Sequence, residues 1–378
     1  MSNSGIRERL RPRTRRGLGV ALATVVLVAA ISAGTSAALG LVTWPTQGQE
    51  IASSGVVTGV PFCGTKKITL AVLDGYGVNA WSQESYAAVR SEAAQCPNVK
   101  VITAAGGGDL QKSISDISSS VAQGANAITV IPDFGSAELA AIKQATAQGV
   151  KVVPWGADPS GVNGKDFVSY VDWNDGYAGT LWAKWMVQAL HGKGNVIYTG
   201  GPAGNPVGAS QLAAVVAVFK SHPGMHLLTG DKSWPVTNWD PATAQKVTAA
   251  LLAKYPKIDG IISNYGTDAL ASVRAFQAAG RKLVPITTLD ANGLSCLYQK
   301  NGLPLSTISS RNWLGRVAAR KAITAAEGLP NLEPSIYKLS FFEDTLNGKA
   351  LQCNPKASSD FYPSNKLTVA QIKKYGKP

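Results

Sequence analysis

Aromatic rings stand beside carboxylates or amides at the ends of six apolar runs in this chain. Asp74, Tyr76 and Trp81 follow ITLAVL, Asp133 and Phe134 follow AITVI, and Trp155 and Asp158 close KVVP. Asp172, Trp173, Asn174 and Asp175 follow FVSYV, Asn264 and Tyr265 follow IIS, and Asp290 and Asn292 follow PITTL. Carboxylates and amides accept hydroxyl hydrogens while aromatic faces cover apolar C–H surfaces, so the set suits recognition of a small polar molecule with apolar faces. Bond-breaking chemistry is poorly supplied. The chain has three histidines, His191, His222 and His226, and no GxSxG elbow for a hydrolase triad. Gly106, Gly107 and Gly108 are consecutive rather than spaced as GxGxxG, so no dinucleotide cofactor is expected. Without CxxC spacing, and with the histidines far from every cysteine, no metal is expected either, and the protein is not expected to be an enzyme.

The elements that position these residues follow from periodicity. Apolar residues at helical spacing mark helices from about Trp81 to Ala94 (Tyr86, Val89, Ala93) and from about Leu110 to Gln123 (Ile114, Ile117, Val121), the latter capped by Asp109. A further helix is expected around Ala137 to Gln148. A long helix after Gly176, carrying Trp182, Trp185, Met186 and Ala189, starts a second series. That series runs through NVIYTG, a glycine turn over 200–208, a helix to about Lys220, HLLTG, a helix over Pro241 to Tyr255, GIISN, a helix over Asp268 to Ala279, and LVPITTLD. Strand alternating with helix implies largely parallel sheets, and two such series imply two lobes. Ligands of such sheets sit outside the carboxyl ends of the strands, where the rings and carboxylates recur.

The chain has 378 residues, 45% hydrophobic and 16% charged, enough for two globular domains. Its net charge of +13 is concentrated at the start, in Arg7, Arg9, Arg11, Arg13, Arg15 and Arg16. Setting aside these six positive charges and the negative Glu8 takes five units off and leaves +8, scattered without a dense block, so no nucleic-acid partner is expected. The arginines precede an apolar run from Gly17 to Ala33 and small residues through Ala38, the layout of a secretory signal over 1–38. An uncleaved membrane anchor is the alternative, because a weaker apolar pattern continues through Val42. The protein is therefore expected in the periplasm or outside the cell. Residues 39–65, rich in Gly and Pro, are expected as a linker or extended arm. In an oxidising compartment four cysteines most simply form two disulfides. Cys63 lies just before the first strand and Cys96 at the end of the first helix, so these two can share a sheet edge, leaving Cys296 with Cys353; other pairings would bridge distant segments. Loops of about 33 and 57 residues would each contribute about 3 to 4.5 kcal/mol in the chain-entropy model.

Six ordered segments, GGGDLQKSISDISSSVAQGANAITVIPD, YVDWNDGYAG, GGPAGNPVGA, KYPKIDGIISNYGTDALASVRAFQAAG, PITTLD and NGLPLSTISS, resemble the ribose-binding-type periplasmic solute-binding proteins of sugar ABC importers. These are related to the sensor half of the lactose-repressor group, and the similarity spans about residues 66–345. It implies an α/β fold of two Rossmann-like lobes with parallel sheets joined by a three-segment hinge, the type I periplasmic binding protein fold. The crossings would fall near Gly156 to Asp158, Ser309 to Arg311 and Tyr337 to Ser340. The N-terminal lobe would then hold 66–157 plus 310–340, and the C-terminal lobe 158–309 plus 341–378. On that partition each proposed disulfide stays within one lobe.

The resemblance also implies ligand positions. Trp81 and Trp239 match aromatics on opposite faces of the sugar, Asp133 or its neighbour Phe134 matches an acidic strand-end position, and Asp290 matches the residue that holds ring hydroxyls. Trp155 and Asp158 lie at the first expected crossing, as ligand groups or hinge residues, and Tyr76 and Asn174 complete the strand-end set. A plainer role stands beside several of these: a core aromatic for Trp81, a helix cap for Asp133 and for the stretch Asp172 to Asp175. The chain also departs from the pattern. The arginine expected after the glycine turn is missing from Val207-Gly208-Ala209-Ser210-Gln211, Tyr265-Gly266 replaces an asparagine-aspartate pair, and Ser310, followed by Arg311, replaces a glutamine. Arg311 is expected to stand in for the missing arginine, so ribose itself is not the expected ligand. The function implied is the exported substrate-binding component of an ABC importer, a monomer that captures a sugar or polyol and delivers it to a membrane permease. The alternative is a periplasmic sensory protein signalling to a chemoreceptor or kinase. A repressor would need a DNA-binding domain where the leader stands.

Overall fold

Strand β2 (Ile68–Asp74) is apolar at almost every position because helices cover both faces of its sheet. β1 (Glu50–Ile51) precedes it. The computed structural model describes residues 49–377, and the signal segment expected over 1–38 lies outside them. Among the described residues no helix is long and apolar enough to cross a membrane.

After β2 come α1 (Ala80–Ala93), β3 (Val99–Ala105), α2 (Leu110–Ala122), β4 (Ala127–Ile131), α3 (Leu139–Ala147) and β5 (Lys151–Pro154). The strands pair in parallel in the order β3-β2-β4-β5. Side-chain alternation divides β2 between two cores: Leu70 and Val72 pack with Val89, whereas Ala71 and Leu73 pack with Ile117 and Ile142. Asp109 caps α2 as expected, its carboxylate accepting from the Lys112 amide at 2.7 Å.

The second series is β6 (Asp172–Trp173), α4 (Asp175–Ala189), β7 (Gly194–Thr199), α5 (Pro206–Lys220), β8 (Met225–Leu227), α6 (Pro241–Lys254), β9 (Gly260–Ser263), α7 (Gly266–Ala278), β10 (Ile286–Leu289), α8 (Asn292–Asn301) and β11 (Leu305–Ile308). It continues through α9 (Leu314–Glu327), β12 (Ile336–Leu339), β13 (Phe341–Asp344) and α10 (Val369–Tyr375). The second sheet has the order β13-β11-β10-β9-β7-β8, parallel except for β13. Trp182, Trp185 and Met186 cover one face with Val196 and Tyr198, and Val273, Phe276 and Leu294 cover the other with Ile197 and Ile261.

Both disulfides form as expected, Cys63 with Cys96 at 5.2 Å between Cα atoms and Cys296 with Cys353 at 4.6 Å. The fold differs from expectation in three places. The first crossing lies not at Gly156 to Asp158 but at Asp172–Trp173. Gly156 donates to Val171 O, Val168 donates to Val152 O, and Phe167 packs in the core with Leu73 and Val152, which keeps 157–171 on the first sheet. The run FVSYV accordingly contributes two isolated bridges, Trp155–Val171 and Asn163–Phe167, instead of a full strand. Next, the arm expected as a linker is built in: β1 pairs with β12, which pairs with β6, and Phe62 is buried in the core with Leu70 and Val89. Finally, the chain crosses a fourth time at its C-terminal end. Ser359 O and Phe361 O accept from the amides of Gly293 and Asn292, whereas Leu367 is buried against Ala87 and Ala88 of α1.

Candidate ligand-binding cleft

The carboxyl ends of the two sheets face each other across a cavity lined by residues of both series. The Trp81 indole, at the second position of α1, forms one wall. Its Nε1–H donates to Ser310 O at 2.7 Å, and its ring stacks on Trp155 with centroids 5.9 Å apart. Trp239 forms another wall, its Nε1–H donating to Asn264 Oδ1 at 3.2 Å. Any side chain at Gly201 would run into that indole, so the glycine is what lets Trp239 lie on the backbone of the turn. Ile131, Val207 and Leu289 supply apolar surface, and Asn79, Asp133, Asn264 and Arg311 supply polar groups.

Arg311 is the least ordinary member of this set. Its φ of 65° is left-handed, a conformation rare for a long side chain, and the turn is held by its amide donating to Ser309 Oγ at 3.2 Å. The guanidinium lies 5.0 Å from the Trp173 ring centroid and 5.8 Å from that of Trp81. Nη1 donates to Asp175 at 3.0 Å and lies 3.6 Å from Asp172, while the buried Nε–H has no partner among the described residues. Burial disfavours the charge, but Asp172 and Asp175 hold the Arg311 pKa above its usual value. Burial pushes Asp175 up to about 8, helped by the neighbouring Asp172 charge. Asp133 is held well above the carboxylate range by burial first, then by Asp74 and Glu138.

The two lobes meet around the cavity. Tyr76 Oη donates to Asn238 O, its ring meets the Trp239 edge at 5.7 Å, Asn205 Nδ2 donates to Asp133 O at 2.9 Å, and the Trp81 amide donates to Tyr265 Oη at 3.4 Å. These contacts lie away from the chain crossings and describe a closed clamp. Asn238 and Trp239 both have positive φ, at 54° and 51°, and Thr237 steadies their loop by donating to Asp268 at 2.5 Å. Asp268 is buried, its Oδ1 without a partner among the described residues, and that burial raises its pKa to about 8. Because the folded value exceeds the unfolded one, the stabilisation is full below the unfolded carboxylate pKa and is lost as pH rises through about 8. Melting curves of Asp268→Asn are therefore expected to show a smaller loss of Tm between about pH 6 and 9 than the parent protein. Equal losses would show that Asp268 does not hold its proton.

Of the residues expected at the site, Trp81, Asp133, Trp239, Tyr265 and Arg311 line the cavity. Tyr76 stands at its mouth, and Phe134 lines an outer recess with Asn205 and Asn238. The others are placed elsewhere. Trp155 is buried behind Trp81, Asp158 accepts from the Ser160 amide in an exposed turn, and Asn174 caps α4 by accepting from the Tyr177 amide at 2.8 Å. Asp290 is fully buried and turned away, accepting from the amides of Ser310 and Ser364 and from Ser364 Oγ at 2.6, 2.9 and 2.9 Å. Ser310 Oγ accepts from Asn365 Nδ2. Asn79, Ile131, Gly156, Val207 and Leu289 reach the cavity without having been expected there, and Asn264 reaches it as one of the strand-end residues first singled out. The signal for Leu289 was present, since it precedes an expected residue at a strand end.

Residues 71–330 match the family model described as periplasmic binding protein domain. Among curated relatives, the xylitol-binding protein of Mycolicibacterium smegmatis is 25% identical over 64% of this chain and 69% of its own length. The D-xylose-binding periplasmic protein of Escherichia coli is 25% identical over 57% and 63%. Among solved structures, an ABC transporter solute-binding protein from Bacillus halodurans with bound myo-inositol superposes with a TM-score of 0.66, at 17% identity, over 75% of this chain and 96% of that one. The closed two-lobed architecture, with its cavity at the carboxyl ends of the strands, agrees with the model match over both sheets, and the chain belongs to the periplasmic binding protein domain family.

Proposed function

We propose that the protein is the exported substrate-binding component of an ABC importer, taking a sugar or polyol between its lobes and presenting the closed form to a membrane permease. The observation that carries this reading is the cavity itself, where two indoles and the polar groups Asn79, Asp133, Asn264 and Arg311 converge from both lobes. Indole faces suit the C–H surface of a carbon chain or ring, Asp133 suits a hydroxyl donor, and the unpartnered Arg311 Nε–H suits a hydroxyl oxygen. A ligand touching both lobes only in the closed form shifts the population toward closure. Relatives named for xylitol, D-xylose and D-apiose favour a five-carbon compound. The basic, apolar start of the chain supports export.

Calorimetric and thermal-shift screening against pentoses, pentitols, hexoses, cyclitols and nucleosides tests the reading. A five-carbon sugar or polyol is expected to raise Tm in proportion to the logarithm of its concentration. No response to any polyhydroxylated compound would overturn it. With the best ligand in hand, Trp81→Ala is expected to weaken affinity at least about tenfold, as loss of a buried aromatic anchor does. Unchanged affinity would remove Trp81 from the site.

A further inference from the structure

The C-terminal crossing makes a set of contacts that no binding role explains. Asn365 Nδ2 donates to Asn312 Oδ1 at 2.7 Å, Glu84 Oε2 at 2.9 Å and Ser310 Oγ at 3.0 Å. Ser310 and Asn312 flank Arg311, and both hold Trp81: Ser310 O accepts from its indole, and Asn312 Nδ2 donates to its carbonyl at 2.7 Å. One residue earlier, Ser364 occupies Asp290 at the end of β10. Tyr362, whose amide donates to Glu84 Oε1 at 3.0 Å, is buried with its ring 6.4 Å from that of the cavity residue Tyr265. Beyond the crossing, α10 lies on α1, where Arg90 Nη1 donates to Tyr375 O at 2.9 Å and to Lys377 O. A carboxylate of α1, Glu84, and one at the end of β10, Asp290, thus grip the same four-residue segment from opposite lobes.

The geometry points to a positioning strap: Tyr362–Asn365 with α10 fixes the turn that carries Arg311 and limits how far the lobes open without ligand. Ser310, Arg311 and Asn312 form a hinge crossing, so a residue bonded to both flanks of Arg311 sets its aim at the cavity and ties that aim to the C-terminal segment. Holding the lobes near closure raises the fraction of molecules competent to bind, and apparent affinity scales with that fraction.

Two substitutions in the full chain test the strap, and the affinity arm rests on the sugar or polyol reading above. Arg90→Ala frees the end of α10, far from the cavity and without emptying a core site. Ligand-free small-angle scattering is expected to show a larger radius of gyration than the parent, and the best ligand is expected to bind about tenfold more weakly. Asn365→Ala is expected to weaken affinity further and to speed hydrogen exchange over 309–313 in the ligand-free protein. Exchange in the unaltered protein is also expected to protect α10 together with α1, as one cooperative unit of local opening. Scattering and exchange need no ligand, so a failed sugar screen leaves the strap standing on its own. Unchanged scattering in Arg90→Ala, or independent fraying of α10 in the unaltered protein, would overturn it.

Discussion

Arg311→Ala is expected to cost about 3 to 5 kcal/mol of folding stability and to abolish measurable ligand binding. The side chain is only 8% exposed and is the positive partner of Asp172 and Asp175, which are 0% and 13% exposed. Removing it leaves two carboxylates facing each other with no cation between them. Their burial already raises both pKa values, so without Arg311 they would take up protons or open the crossing to water. The destabilisation should therefore shrink as pH falls, since the neutral acids cost less to bury. Urea denaturation at about pH 5 and about pH 8 separates the two conditions. Adding Asp172→Asn and Asp175→Asn should recover part of the loss in stability but none of the loss in binding. A single variant as stable as the parent would show that the pair of acids does not depend on Arg311.

Trp155→Ala is expected to cost about 3 to 5 kcal/mol as well, by a different route. This indole is 1% exposed and fills the space between Trp81 and α9, where a Cβ at Gly315 would stand 3.1 Å from it. Its Nε1–H has no partner among the described residues, so the loss is one of packing rather than of a hydrogen bond. The cavity left behind also removes the surface on which Trp81 stacks, and affinity should fall even though Trp155 stands behind the lining residues. Trp155→Phe should restore most of the stability. Denaturant midpoints for the two variants check this, and a midpoint unchanged in Trp155→Ala would show that the site collapses without penalty.

The sheets were legible because a strand covered on both faces is a continuous apolar run, and the disulfides because neighbouring elements brought Cys63 to Cys96 and left Cys296 with Cys353. The cavity-lining residues were legible only by position. Leu289 and Asp290 are adjacent at one strand end, yet alternation sends the leucine into the cavity and the aspartate behind it. The groups that claim Asp290 lie at Ser310 and at Ser364, and no local pattern announces a partner that far along the chain. Asp158 and Asn174 were misleading for the opposite reason. Turns and helix caps use the same short polar side chains as a ligand site, and here local hydrogen bonds take them. Arg311 was expected from its place at a crossing, but its left-handed backbone has no signature in a residue type that rarely adopts it.

The short pairing of β1 with β12 has a mechanical consequence. Glu50 and Ile51 enter the fold on the strip that links the lobes, opposite Lys338 and Leu339. A tether attached ahead of Glu50 would pull on the pivot itself, where the lever arm to either lobe is shortest. Such a pull exerts little torque, so the clamp can swing open and shut while its point of attachment stays still.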